Sequence, residues 1–132
     1  MFLSSLNKKV IKSMESKPQD IKERTFNFAL SCLRLSKVIA NEQKEFIITR
    51  QMSRSATSVG ANVREARNSV SKRDFINKIA IAQKECDETL YWLELLDAFV
   101  ELDYPQITQN KKEADEILRI LSTIIIRTKN NS

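Results

Sequence analysis

The scarcity of turn-forming residues constrains the fold of this chain more than any other feature. Its 132 residues include one glycine and two prolines, whereas a fold of many short strands needs a turn every ~8–12 residues. Because 42% of the residues are hydrophobic and 30% are charged, the composition is that of a globular domain rather than a disordered chain. The sequence therefore favours one domain of a few long helices joined by short loops.

Helical periodicity places four helices after an N-terminal extension. Residues 1–19 form a lysine-bearing extension with a short helix of its own, and residues 20–132 form the bundle domain. Helices are expected over residues 20–40, 42–68, 71–102 and 106–127. Asp20 with Glu23, and Ser71 with Asp74, have the spacing of helix-capping pairs. We therefore expect an all-α fold, an antiparallel up-down-up-down four-helix bundle.

Helices one and three carry apolar residues on two sides. On helix one the stripes are Phe26, Ala29, Leu30 and Leu33, and, opposite them, Phe28, Cys32, Leu35 and Ile39. On helix three they are Phe75, Ile79, Ala82, Cys86, Leu90 and Leu93, and a second stripe of Ile81, Trp92, Leu95 and Phe99. A helix packed in an isolated bundle needs one stripe. The second stripes therefore predict a symmetric homo-oligomer.

Helices two and four each carry a single apolar stripe. On helix two it consists of Ile48, Met52, Ala56, Val59 and Val63, and on helix four of Ile107, Ala114, Leu118, Leu121 and Ile125. Gly60 lies in the middle of helix two, where glycine costs ~1 kcal/mol relative to alanine. A close helix crossing at Gly60 is the expected compensation.

Nothing in the sequence predicts a membrane or an export signal. No apolar run approaches the ~18–20 residues of a membrane span. The N-terminal lysines follow the apolar residues, which is opposite to the order in a secretory signal. We therefore expect a cytoplasmic protein without a membrane partner. Cys32 and Cys86 lie in apolar helical patterns, so buried thiols are favoured over a disulfide or a reactive site.

The chain contains no histidine. Ser-His and Cys-His nucleophile pairs, most zinc sites and the commonest general base are therefore excluded. We expect a non-enzymatic protein without catalytic residues, metal or cofactor. An enzyme that uses only carboxylates and lysine stays open as a third class.

Charge is distributed unevenly along the chain. Residues 85–103 hold seven of the 17 acidic residues and no lysine or arginine. The other 10 acids and all 22 basic residues give the rest of the chain a net charge of +12. This asymmetry can build a positive face for polyanions, or it can make subunits attract one another head to tail. The two interpretations are compatible.

The basic residues within 50–74 form the candidate nucleic-acid site. They are Arg50, Arg54, Arg64, Arg67, Lys72 and Arg73. Guanidinium groups bind phosphate through paired hydrogen bonds and do not read the base sequence. No aromatic residue lies among them, so stacking on single-stranded bases is not supported. The alternative is a solvated helix face, partly paired with the acids of a neighbouring subunit.

A second candidate site is polar. Its members are Asn62, Glu65, Lys84, Glu85 and Glu88. If helices two and three pack side by side, these groups can form a buried network that fixes register and subunit geometry. A di-metal bundle needs paired Glu-x-x-His motifs, so the network is favoured over a metal or acid-base site. Trp92 is assigned to a self-association interface, with core packing as the alternative.

The same residues carry a resemblance to a known family. Residues 24–96 resemble the four-helix-bundle proteins encoded in intervening sequences of bacterial 23S ribosomal RNA genes. The matching positions on helix two are Gln51, Arg54, Ser55, Ala56, Ser58, Val59, Asn62, Val63 and Glu65. On helix three they are Asp74, Phe75, Ile81, Ala82, Lys84, Glu85, Glu88 and Trp92. The family usually has glycine where this chain has Ala66, so helix two is expected to continue to Asn68.

The resemblance implies a homopentamer with a central channel, in a cytoplasmic bacterial protein that binds nucleic acid. It also implies a relation to the accessory proteins of diversity-generating retroelements, whose pentamer binds nucleic acid and a reverse transcriptase. Our main hypothesis is a non-enzymatic homo-oligomer that binds RNA or DNA in a sequence-tolerant way. The alternative is an oligomeric scaffold for a partner protein such as a reverse transcriptase.

Overall fold

In the computed structural model residues 21–131 are described, and their regular structure is entirely α-helical. The four helices are α1 (Ile21–Gln43), α2 (Ile47–Ala66), α3 (Lys72–Phe99) and α4 (Pro105–Asn130). Within these residues the prediction of an all-α fold with four helices is therefore confirmed. The predicted extension 1–19 and the capping residue Asp20 lie outside the described residues.

A buried carboxylate sets the start of α2. The sequence patterns predict a start after Asn41, but the chain first turns at Lys44, whose φ of 53° is in the left-handed region. The helix then begins at Ile47. The Glu45 carboxylate accepts hydrogen bonds from the first three backbone N–H groups of α2 at 2.9–3.0 Å. It thereby satisfies donors that have no partner within the helix and offsets the positive end of the helix dipole.

The connection between α2 and α3 corrects a second predicted boundary. Helix α2 ends at Ala66 and does not continue to Asn68. The N–H groups of residues 67–69 bond to carbonyls three residues earlier at 3.0–3.2 Å, which tightens the chain into a turn. Ser71 then accepts a hydrogen bond from the N–H of Asp74 at 3.0 Å. This bond confirms the predicted cap of α3.

Each helix packs along two neighbours. Helices α1 and α3 each pack against α2 and α4, so α1 and α3 occupy diagonal corners of the bundle. All predicted stripe residues of α2 are buried, and of the two predicted stripes of α1 the buried one is Phe28, Cys32, Leu35 and Ile39. The stripe of α4 is rotated, because Ile117 and Ile124 are buried whereas Leu118 and Ile125 are only partly buried. None of the four helices is long and apolar enough to cross a membrane.

Hydrogen-bonded polar side chains interrupt the apolar core. Ser55 of α2 and Thr89 of α3 are fully buried, and their hydroxyl oxygens lie 2.7 Å apart. Between α1 and α4, buried Asn110 accepts a hydrogen bond from Ser31 at 2.8 Å and donates one to the Cys32 sulfur at 3.7 Å. Because these groups have partners, their burial does not carry the full cost of an unsatisfied polar group.

Both cysteines are buried free thiols, as predicted. Burial raises the pKa of the Cys32 thiol and of the Cys86 thiol to about 12. Both are therefore protonated at neutral pH, and a protonated thiol is a poor nucleophile.

Candidate nucleic-acid interface

The six predicted basic residues are all exposed, and they fall into two groups. Arg50, Arg54 and Arg64 lie on the outward side of α2, over ~21 Å at 1.5 Å per residue. Arg67, Lys72 and Arg73 lie at the connection between α2 and α3. From the sequence, these two groups are predicted as one site.

Arg54 is held by the neighbouring helix. Its guanidinium Nη1 lies 3.3 Å from the Glu85 carboxylate, and its Nη2 donates to the Glu88 carboxylate. The indole N–H of Trp92 donates to the same Glu88 carboxylate at 3.1 Å. Arg54 therefore joins α2 to α3, and its charge is largely balanced within the bundle. We call this group the Arg54 cluster.

The other arginines of the set are not balanced in this way. Arg50, Arg64, Arg67 and Arg73 form no ion pair with any other residue in 21–131. Lys72 donates to the backbone carbonyl of Asn131 through its ammonium group. Four exposed guanidinium groups are thus available to a ligand or to another subunit.

The five polar residues are not brought together into one network. Asn62 donates to the Ser58 carbonyl of its own helix at 2.8 Å. Glu65 pairs with Lys78 at 3.4 Å. Lys84 is exposed and has no hydrogen bond or ion pair within residues 21–131. Glu85 and Glu88 instead belong to the Arg54 cluster, which the sequence patterns had divided between two sites.

An apolar groove lies between α1 and α2. Its volume is about 580 Å³. The wall is the apolar stripe of α1 that is not in the core, including Phe26 and Leu33, and the floor is made of small residues of α2, including Gly60 and Ala61. Lys22, Thr25, Ala29, Leu30, Thr57, Arg64, Glu65 and Asn68 complete the lining. A shallower depression of about 310 Å³ continues from Leu33 past Lys37 and Arg50 to Phe46. We call the two together the α1–α2 groove.

A second exposed apolar surface runs along α3. Tyr91, Leu95 and Phe99 are exposed at successive intervals of four residues, and Ile81 is exposed on the same helix. Trp92 is partly buried against the core. Its ring is edge-on to the Tyr91 ring, with the two ring centroids 5.0 Å apart. Part of the Trp92 side chain therefore packs against the core, as in the alternative to a self-association interface. We call Ile81, Tyr91, Leu95 and Phe99 the α3 stripe.

The comparisons with known proteins concern the family and the fold of the chain. A model of the 23S rRNA-intervening sequence protein family matches residues 17–123. The chain is also similar to a crystal structure from Bacteroides thetaiotaomicron, described as a protein with unknown function from the S23 ribosomal protein family. The two chains are 44% identical, the similarity covers 80% of this chain and 97% of the other, and the TM-score is 0.76. A search of curated proteins returned no match.

Proposed function

The chain belongs to the 23S rRNA-intervening sequence protein family, and we propose that it is a non-enzymatic homo-oligomer that binds RNA or DNA through phosphate contacts. The observation that carries this proposal is a pair of exposed arginines at the α2–α3 connection. Neither Arg67 nor Arg73 has an ion-pair partner within residues 21–131. Unbalanced guanidinium groups at one end of a bundle are suited to phosphate, which they bind through paired hydrogen bonds.

The proposed binding is tolerant of base sequence. Phosphate contacts fix the position of a protein on nucleic acid without reading bases, and no aromatic residue lies between Arg50 and Arg73 to stack on a base. We take the oligomer to be a ring-like pentamer, as the family resemblance implies. A ring repeats the Arg67 and Arg73 pair in every subunit, so weak contacts add up through avidity.

We further propose that the bundle is antiparallel with up-down-up-down topology. Ser36 of α1 contacts Thr49 of α2 at 3.1 Å, whereas Thr25, earlier on α1, lies beside Gly60, later on α2. Likewise, Cys86 of α3 contacts Ala114 of α4, and Asp97, later on α3, contacts Lys111, earlier on α4. Residue numbers therefore rise on one helix as they fall on the next, which supports this topology.

The proposal assigns no catalytic residue, metal or cofactor to the chain. The lack of histidine supports this assignment, and the carboxylates of Glu85 and Glu88 already serve Arg54 as ion-pair partners. A cytoplasmic location is proposed with it, supported by the two buried free thiols.

The test is the salt dependence of binding, measured by fluorescence anisotropy of a labelled structured RNA and a labelled DNA duplex. The test variant is Arg67→Gln/Arg73→Gln. The matched control is Arg34→Gln/Arg119→Gln, which removes two exposed arginines from the middle of α1 and of α4. We expect the test variant to bind about tenfold more weakly, with a log–log salt slope smaller by about 1 for each lost phosphate contact. The control should bind like the natural protein.

Two outcomes would overturn the proposal. The first is no binding by the natural protein tighter than the ~10⁻⁴–10⁻⁶ M of nonspecific contact. The second is equal weakening in the test variant and the control, which would reflect net charge alone. Either result would favour the other candidate, an oligomeric scaffold for a partner protein such as a reverse transcriptase. Unchanged native mass of both variants is the required control for assembly.

A further inference from the structure

We infer that the α1–α2 groove of one protomer binds the α3 stripe of a second copy of this chain. The inference rests on the self-association in the proposed function and names the two surfaces that make it. It gives Arg50 and Arg64 a different role from Arg67 and Arg73. Three properties of the described residues support it: shape, charge and the placement of the two surfaces on the bundle.

The shapes of the two surfaces are complementary. The groove has large apolar side chains on one wall, with Phe26 58% exposed, and small residues on its floor. Between Lys22 and Leu33 the groove is ~17 Å long, at 1.5 Å per residue. Within the α3 stripe, Tyr91, Leu95 and Phe99 form a single line of apolar side chains that ends at Phe99, which is 64% exposed. A helix that places such a line into a groove is a common mode of helix recognition.

The charges beside the two surfaces are opposite. The rim of the groove carries Lys22, Lys37, Arg50 and Arg64, against the single acidic residue Glu65. Three of the four residues of the α3 stripe, Tyr91, Leu95 and Phe99, lie inside the segment 85–103, which contains seven acids and no basic residue. Exposed Asp87 and Glu94 flank Tyr91 on α3. Complementary charge of this kind selects a partner and fixes its register.

The charge pattern also decides against another occupant from the same chain. Residues 1–19 include the apolar residues Phe2, Leu3 and Leu6, which make this segment a second candidate occupant of the groove. That segment, however, contains four lysines and only one acid. Its net charge has the same sign as the groove rim, so the α3 stripe, which is flanked by acidic residues, is the better match.

The placement of the two surfaces requires contact between different chains. Helices α1 and α3 are diagonal in the bundle, so the α3 stripe cannot fold back into the groove of its own protomer. A groove that binds the stripe of the next copy leaves one groove and one stripe free in any pair. Such a head-to-tail contact continues until it closes into a ring or extends as a filament.

The experiment uses two variants of the full chain that each lack one surface. The stripe variant is Leu95→Asp/Phe99→Asp, and the groove variant is Phe26→Asp/Leu33→Asp. We expect each variant alone to be a monomer of the 15.3 kDa chain by sedimentation velocity. Mixed at equal concentration, they should form a heterodimer and nothing larger, because only one intact groove and one intact stripe remain.

The controls separate folding from assembly. Val70→Asp/Ile126→Asp changes two exposed apolar residues outside both surfaces and should keep the native mass. Circular dichroism checks that all variants are helical. If an aspartate variant does not fold, the surface variant Asp87→Lys/Glu94→Lys replaces the stripe variant. It should dissociate the oligomer, and mixing it with a Lys22→Glu/Arg64→Glu chain should restore assembly, because each groove then meets a stripe of opposite charge on the other chain.

The outcomes distinguish this inference from the self-association on which it rests. If the natural protein is a monomer at micromolar concentration, both the self-association and the contact between groove and stripe are wrong. If the natural protein is an oligomer but the stripe variant or the groove variant keeps its native mass, only the contact between groove and stripe is wrong. Oligomers formed by the groove variant alone would point to a stripe-to-stripe contact, and oligomers formed by the stripe variant alone would point to a groove-to-groove contact. Both results contradict head-to-tail pairing.

Discussion

The two long sides of α2 meet their neighbours in different ways. Toward α3 the contact is closed, because Ser55 bonds to Thr89 in the core and Arg54 is bound by two glutamates at the surface. Toward α1 the outer edge is open, because the small residues of α2 form the floor of a groove. The basic residues at this edge, such as Arg64, form no ion pair within residues 21–131.

The helix packed beside α2 therefore determines the role of a side chain on its surface. Arg54 and Arg64 are the same residue type on the same helix, ten positions apart. Helix α3 supplies Glu85 and Glu88 beside Arg54, whereas the groove edge of α1 supplies Lys22 and apolar residues. One arginine therefore contributes to the bundle, and the other is available for contacts outside it.

The largest change in the free energy of unfolding should come from a larger side chain in the contact between α2 and α3. Ser55→Leu places a larger side chain where both Ser55 and Thr89 are fully buried, and it removes their hydrogen bond. Overpacking and the lost bond should lower the free energy of unfolding by about 2–3 kcal/mol. The matched change on the open side, Ala61→Leu, should alter it by less than about 0.5 kcal/mol.

The measurement is urea denaturation in the Leu95→Asp/Phe99→Asp background, so that assembly does not contribute to stability. Native mass should be checked for each variant, since oligomers make stability depend on concentration. Equal losses for Ser55→Leu and Ala61→Leu would contradict the distinction between the two sides.

A smaller effect should come from removing the charge of Arg54. In Arg54→Met, the Glu85 carboxylate, whose side chain is 16% exposed, and the Glu88 carboxylate lose their counterion. Because the Arg54 side chain is 51% exposed, solvent screening limits the loss to about 1 kcal/mol. Arg64→Met should cost nothing measurable, because no ion pair within residues 21–131 is lost.

A double-mutant cycle tests the assignment of that loss to charge. Adding Glu88→Gln to Arg54→Met removes one of the two unbalanced carboxylates and keeps an acceptor for Trp92, so stability should partly return. The difference in the free energy of unfolding between Arg54→Met and Arg64→Met should also become smaller as the salt concentration is raised. A cost that is independent of both salt and Glu88 would mean that Arg54 acts through packing.

Local patterns predicted the parts of this structure that depend on one helix at a time. The buried stripe of α2 follows from its period, and the Ser71 cap follows from its spacing to Asp74. The start of α2 was missed because Glu45 acts from outside the usual capping position. The Arg54 cluster and the groove depend on how two helices align, and a helical period contains no information about that register.

The smallest effect should come from Gly60, on the floor of the groove. Alanine is favoured over glycine in a helix by ~1 kcal/mol, but a Cβ at this position would lie 3.4 Å from the carbonyl and hydroxyl oxygens of Thr25. Those separations are at the lower limit of ordinary van der Waals contact, so Gly60→Ala should fit and raise the free energy of unfolding by about 0.5 kcal/mol. Urea denaturation in the same background measures it. A loss of stability instead would mean that the α1–α2 crossing is closer than this geometry, and that the predicted need for glycine there is real.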